Sequence, residues 1–450
     1  MSRTRNEAAG QVGRRQFAKT LAGGVGAVWL SRSLPLLGQA PAPSPTPSPT
    51  PAPVDWERAG VTSSEVKLGM SAAFKGAIAG LGVDYYRGAA ALLAEVNAQG
   101  GAAGRQIKVV ALDDGYDPPA ALRNTIQLVD EQKVFALVNY VGTPTLTRAL
   151  PVIRQRRDRG LVLVGNLTGA QPQREDPYVD QVFNVRASYR REMASTVDEL
   201  WKLGFRKFGV FYQIDAYGRS GVDGVSRALA ARGAEIVEEA TYRRGALFSE
   251  NMTAAVDHLK KAGVDAVLCT GAYQAAAAFV RDVRDAGWKV PISNISFVGS
   301  DSMLTLLVEE GKKAGKDLTK GLVNSQIVPS YDEVSLPAVK EYRDLMDKWK
   351  PVVPADLVDP SFAPPRYSFN SLEGFLNAKI LVEAFRRTGP ELTRARFRAA
   401  LESITEWDPG IGAAVTFSPT RHQGLDRVYF TTVSAGRWVG VADWRQAVTA

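Results

Sequence analysis

An alternation of short β-branched runs with longer helical patterns starts at Glu65, and this pattern restricts the architecture more than any other feature. EVKLGM (65–70), IKVVAL (107–112), VFALV (134–138) and LVLVG (161–165) have the unbroken apolar character of strands covered on both faces. Between them, 84–98, 118–132 and 143–157 carry apolar residues at helical spacing. Pro119 and Pro144 fall near the helix starts, where a missing amide is harmless. A second series repeats the scheme with FGVFY (208–212), EIVEEATY (235–242), VDAVLCT (264–270) and ISNISFVG (292–299), each trailed by a helical pattern. Such alternation requires a parallel sheet with helices on both faces. Two series therefore predict an α/β chain of two doubly wound parallel-sheet lobes joined at a hinge, with a cleft between them. The tail departs from the scheme. GLVNSQIVP (321–329) is followed by helical segments 334–350 and 368–388 and by strands AAVTF (413–417), RVYFTTV (427–433) and RWVGV (437–441) at meander spacing. With too few strands for a third lobe, the tail is expected to complete the first two.

Before the alternation lie two segments of different character. Arg14-Arg15-Gln16-Phe17-Ala18-Lys19 precedes an apolar stretch from Leu21 to Leu30, which is shorter than the roughly 20 residues a membrane span needs. The layout is that of an export signal, and the paired arginines resemble the twin-arginine type, which carries folded proteins. Gly38-Gln39-Ala40 offers small residues for cleavage, although Pro41 follows, and no cysteine stands nearby to carry a lipid. PAPSPTPSPTPAP (41–53) reads as an extended polyproline linker. The net charge of +8 shrinks when it is apportioned. Residues 1–40 hold six basic side chains and one acid, leaving +3 spread over the rest. No basic, aromatic-studded stripe remains, so nucleic acid is not expected as a partner.

Several chemistries are excluded in the same way. Cys269, the single cysteine, cannot form an internal disulfide and lies in an apolar run that reads as a core strand. Gly80-Leu81-Gly82 imitates a dinucleotide loop, but Tyr85 occupies the third glycine position. Asp113, Asp114 and Asp117 lack the spacing of a calcium loop. His258 and His422 read as residues of a polar helix and a polar turn, with no nucleophile or metal cluster beside them. Neither enzyme chemistry, nor a cofactor, nor a metal is expected.

At this point the motifs carry a resemblance. NAQGGAAGRQIKVVALDDGYDPPAA (97–121), FYQIDAYGRSG (211–221), FVGSD (297–301) and SLEG (371–374), in that order and spacing, resemble the leucine/isoleucine/valine-binding family of type I periplasmic solute-binding proteins, which serve ABC importers. The resemblance covers residues 65 to about 445. It implies three crossings between lobes, near 184–188, 325–330 and 416–426. The expected organisation is an export signal (1–40), a Pro-rich linker (41–60), lobe 1 (65–185 with 330–415) and lobe 2 (186–328 with 426–445). The implied function is a monomeric periplasmic receptor that captures an amino acid, amide or organic acid and delivers it to a membrane permease. The alternative is a sensory module that signals to a membrane partner, and fold alone does not separate the two.

Loops that follow strands and open helices offer unpaired amides and the positive end of a helix dipole. VGTPT (141–145) supplies the bare backbone of Gly142 and the hydroxyl of Thr143. NLTGA (166–170) supplies Thr168 and Gly169. The resemblance implies that these two loops clasp a ligand carboxylate; read by themselves they are also ordinary helix caps. In the second lobe Tyr217 and Tyr273 are candidate contacts. Asp301 lines up with the family's acceptor for a ligand ammonium and is equally a good N-cap for a helix from Ser302. Phe74 and Leu81 stand in the first loop, where the family often has an aromatic residue. Arg186 and Tyr189 fall at the first crossing, as hinge residues or as contacts to a second acidic group.

Overall fold

In a computed structural model describing residues 54–359 and 362–449, both series of buried strands form sheets, with the same strand order in each. The proposed export signal and residues 41–53 of the linker lie outside the described residues. The first series comprises β1 (Glu65–Ala72), α1 (Ala79–Ala98), β2 (Gln106–Asp113), α2 (Pro118–Ile126), β3 (Ala136–Val138), α3 (Thr143–Gln155), β4 (Leu163–Val164) and β5 (Val182–Phe183). Its strands are parallel in the order β2-β1-β3-β4-β5. The second comprises α4 (Tyr189–Lys202), β6 (Phe208–Gln213), α5 (Ala216–Ala230), β7 (Glu238–Tyr242), α6 (Thr253–Lys261), β8 (Ala266–Thr270), α7 (Tyr273–Asp285), β9 (Ile292–Asn294), α8 (Ser300–Ala314) and β10 (Leu322–Gln326). These strands run β7-β6-β8-β9-β10 in parallel, with β11 (Tyr429–Ser434) and β12 (Arg437–Gly440) added antiparallel beyond β10. A short α12 (Trp444–Ala447) follows.

Helices from the tail cover the first sheet. α9 (Pro337–Trp349) and α10 (Phe369–Thr388) pack on α1, and α11 (Arg394–Glu402) packs on α10. The α1–α10 contact is close because two glycines interlock. A Cβ on Gly88 would run into the Ser371 carbonyl, and one on Gly374 into the Tyr85 carbonyl. The chain passes from the first sheet to the second after β5 and leaves it after β10. Residues 421–425 run beside the first passage: Gly424 N donates to Asn184 O and Leu425 N to Val185 O, each at 2.8 Å.

The structure corrects four local expectations. Residues 413–417 are not a strand; Val415 forms only an isolated bridge with Trp407. The preceding turn is gathered by the Asp408 carboxylate, which accepts from the amides of Gly410, Ile411 and Gly412 at 2.7–3.0 Å, and Phe417 N is taken by Ile404 O. No neighbouring strand can then pair with the segment. The helix expected over 118–132 is α-helical only to Ile126 and continues as a π turn over Gln127–Glu131. His422 is not at a polar turn but buried, stacked on Phe183 with ring centroids 3.9 Å apart and with Nδ1 2.8 Å from Val179 O; burial lowers its pKa. Residues 54–60, assigned above to the linker, fold onto the first lobe. There the Arg159 guanidinium covers the Trp56 ring at 4.0 Å and Glu57 accepts from Ala395 N at 3.1 Å. Cys269 is fully buried in β8, which pushes its thiol pKa up.

Candidate functional site

In an all-parallel sheet the carboxyl ends of the strands and the first turns of the following helices share one edge, so loop residues distant in sequence meet there. At the edge of the first sheet, Gly142 takes φ +107° and precedes α3 without a side chain to cap it, and Pro144 in the first turn has no N–H. Thr143 and Thr168, both buried, bring their hydroxyls to 2.6 Å. The Tyr189 hydroxyl lies beside both. It is fully buried and makes no hydrogen bond of its own, and burial raises its pKa. Three hydroxyls thus converge at the positive end of a helix, an arrangement suited to an anion.

The loop that carries Thr168 is held from behind. Arg174 donates to Thr168 O at 3.3 Å, Ala170 O at 3.1 Å and Arg186 O at 3.2 Å. Gly169 lets the Tyr189 ring lie flat on that loop, since a Cβ there would stand 2.5 Å from Tyr189 Cδ1. Outside the loop is a crevice of about 270 Å³, lined by Gly169, Gln171, Arg190, Ala216, Arg219 and Asp223 among others.

Aromatic rings from both sheets surround the hydroxyls. Tyr116 packs against Gly142, where a Cβ would meet its ring at 2.5 Å. Phe297 lies 6.2 Å from Tyr116 and 4.6 Å from Tyr217, and Tyr217 lies 5.6 Å from Tyr189, ring centre to ring centre. Gln213 Nε2 donates to Tyr116 Oη at 3.3 Å and Tyr217 Oη donates to Gly271 O at 3.2 Å, so the tips of two tyrosines are already engaged.

Next to Tyr189 the first passage carries an ionic cluster. Arg186, fully buried, lies 3.7 Å from Glu192 and 3.6 Å from Glu373, and it donates to Ser296 Oγ. Glu192 also accepts from Ser296 N at 2.9 Å and Ser325 Oγ at 2.7 Å. Burial opposes the Arg186 charge, but Glu373 and Glu192 hold its pKa above the ordinary value. Burial also lifts the Glu373 pKa to about 7, against the pull of Arg186.

Of the residues singled out from the sequence, Gly142, Thr143, Thr168, Gly169, Tyr189 and Tyr217 thus come together. Leu81 and Tyr273 meet elsewhere, against Gly299, and Gly80 N lies 3.5 Å from Tyr273 Oη. Phe74 stands apart, its N–H on Asp113 Oδ1 at 2.8 Å and its ring edge-on to Tyr86. Asp301 is not the N-cap of its helix, because α8 begins at Ser300 and Gly299 occupies the cap position. Its two oxygens accept from Tyr331 Oη at 2.8 Å and from Phe369 N, in the first turn of α10, at 3.0 Å. Burial, offset by these donors, lifts its pKa to about 6.

Sequence reasoning missed Tyr116, Phe297, Glu192 and Glu373. A signal existed for Tyr116. The three aspartates around it are turn residues whose carboxylates accept from Gly115 N, Tyr116 N and Ala120 N at 2.9–3.1 Å, which forces Tyr116 to φ +62°. Glu373 has no local signal, because its partner Arg186 is distant in sequence, and Glu192, six positions after Arg186, lies inside α4, where an acidic first turn is ordinary. Among the described residues no group of histidine, cysteine and acidic side chains could hold a metal, and no helix is long and apolar enough to cross a membrane.

Residues 65–437 match a family model described as periplasmic binding protein. A solved structure from Rhodopirellula baltica SH 1, described as a possible leucine/isoleucine/valine-binding protein, is 32% identical with a TM-score of 0.75, over 86% of this chain and 98% of that one. A substrate-binding periplasmic protein from Ralstonia solanacearum is 30% identical with a TM-score of 0.71, over 82% of this chain and 98% of its own. An amino acid binding protein from Pseudomonas aeruginosa is 24% identical over 243 residues, which span 54% of this chain and 63% of that relative.

Proposed function

The chain belongs to the periplasmic binding protein family, with the type I fold of two α/β lobes, and from that membership we propose that it is an exported receptor that captures a small carboxylate-bearing solute between its lobes and delivers it to the permease of an ABC importer. It is a binding protein and not an enzyme. The observation that carries the reading is the trio of buried hydroxyls, Thr143, Thr168 and Tyr189, at the uncapped start of α3. A carboxylate accepts hydrogen bonds and cannot donate them, and hydroxyls can rotate to donate. Each charge-assisted bond contributes about 1.5–3 kcal/mol, so three supply about 4.5–9 kcal/mol before the ordering cost, and the roughly 8 kcal/mol of a complex at 1 μM also draws on burial of the solute's apolar surface. Aromatic rings from both sheets surround this point, so the solute enters with the lobes apart and is covered when they close.

The test is a thermal-shift screen of the purified protein against small carboxylic acids and amino acids, followed by scattering with and without the best solute. A solute at 100 times its dissociation constant adds about 2.7 kcal/mol to stability and should compact the protein. Thr168→Val, which removes one hydroxyl at nearly constant shape, should weaken that solute about tenfold. A solute that binds without compaction, or equally well to Thr168→Val, would place the site elsewhere.

A further inference from the structure

Resting on the carboxylate-receptor reading, we propose that the solute is an aromatic monocarboxylate that lacks an α-ammonium group. The hydroxyl trio supplies donors for one carboxylate. An ammonium would need acceptors, ideally a carboxylate, on the facing wall. The acids around that wall already face donors or a cation of the protein: Asp114 accepts from Ser71 Oγ at 2.7 Å and Tyr116 N at 2.9 Å, and Glu192 Oε1, which makes no hydrogen bond, faces the Arg186 guanidinium. Asp301 has one oxygen on Tyr331 Oη and the other on Phe369 N. Asp215 accepts from Gln213 Nε2 at 2.6 Å and Tyr217 N at 2.9 Å, with Arg244 at 3.6 Å. Glu192 and Glu373 flank the buried Arg186 guanidinium, at 3.7 and 3.6 Å. The wall itself is Tyr116, Tyr217 and Phe297, with the tyrosine hydroxyls engaged by Gln213 and Gly271.

Taking a bare ammonium into such surroundings exposes an unpaired charge to a low dielectric, whereas a flat apolar body exchanges one aromatic contact for another. Centroid spacings of 4.6–6.2 Å among these rings are those of offset and edge contacts, which an aryl group can join when the lobes part.

Calorimetry with matched pairs tests this: benzoate and 3-phenylpropionate, phenylalanine, 4-methylpentanoate, leucine, and the neutral amide of 3-phenylpropionate. The expected result is binding of an aryl acid, with phenylalanine and the neutral amide each at least about 100-fold weaker. Asp301→Asn should leave the aryl acid within about threefold of its original affinity, and Tyr189→Phe should weaken it about tenfold with the far-ultraviolet dichroism unchanged. If phenylalanine or leucine binds as tightly as its deaminated counterpart, or Asp301→Asn abolishes binding, the proposal is overturned and the receptor reading stands. Preference for 4-methylpentanoate over both aryl acids overturns the aromatic assignment alone. If the amide binds as well as the acid, or no acid and no amino acid binds, the carboxylate reading fails and the proposal fails with it.

Discussion

Asp84 lies on α1 with 2% of its surface exposed, and its contact with a cation is long, 3.5 Å to Arg87 Nη1. Arg87 does not depend on it, since its guanidinium also donates to Pro351 O at 3.1 Å and Pro365 O at 2.8 Å. Burial lifts the Asp84 pKa from 3.8 to about 7; Arg87 and the Ser368 hydroxyl pull it down, and nearby Asp301 pushes it up. Holding this carboxylate ionised above pH 7 therefore costs the fold about 4 kcal/mol relative to the unfolded chain. The folded state binds more protons between about pH 4 and pH 7, so its stability declines as pH rises through that window. Asp84→Asn removes the ionisation cost, which is already net of the attraction to Arg87, and loses about 2 kcal/mol because an amide fits the hydrogen bonds of the carboxyl group less well. The net expectation is a variant more stable by about 2 kcal/mol near pH 8, an advantage gone by about pH 5. Urea titrations of both proteins at the two pH values, with matched slopes, measure it. A variant less stable by about 1 kcal/mol or more, by the same amount at both pH values, would refute the reasoning. It would mean that Arg87 holds Asp84 ionised throughout.

Gly169→Ala puts a methyl group 2.5 Å from Tyr189 Cδ1 and 2.7 Å from its backbone nitrogen, so the ring must leave the loop. The overpacking should cost about 1–3 kcal/mol in thermal unfolding and at least about tenfold in solute affinity, and unchanged affinity would remove Tyr189 from the site. Arg186→Met leaves Glu192 and Glu373 facing each other without their shared cation. Denaturant unfolding at neutral pH should lose about 3–5 kcal/mol, while a loss under about 1 kcal/mol would show the two acids to be neutral in the fold.

The sequence by itself determined the two lobes and singled out the two strand-end loops that carry Thr143 and Thr168. Strand burial, helical spacing and the positions of Gly142, Pro144 and Gly169 are local properties, carried by residues within a few positions of one another. Thr143 and Thr168, 25 residues apart, were legible because each opens its own strand-end loop, and a parallel sheet brings such loops to one edge. The tertiary structure alone decided what the charged groups do. Asp301 looked free to receive an ammonium or to cap its own helix, yet its partners come from Tyr331 and Phe369, 30 and 68 positions along the chain. Arg186 and Tyr189, three residues apart, read alike as hinge residues, but one is neutralised by Glu192 and Glu373 and the other ends unpaired beside two threonines. Periodicity records which face of an element is buried, because burial repeats with the element. A buried charge or hydroxyl takes whichever partner the packing of distant elements brings within about 3 Å, and that distance is set only when the chain has folded.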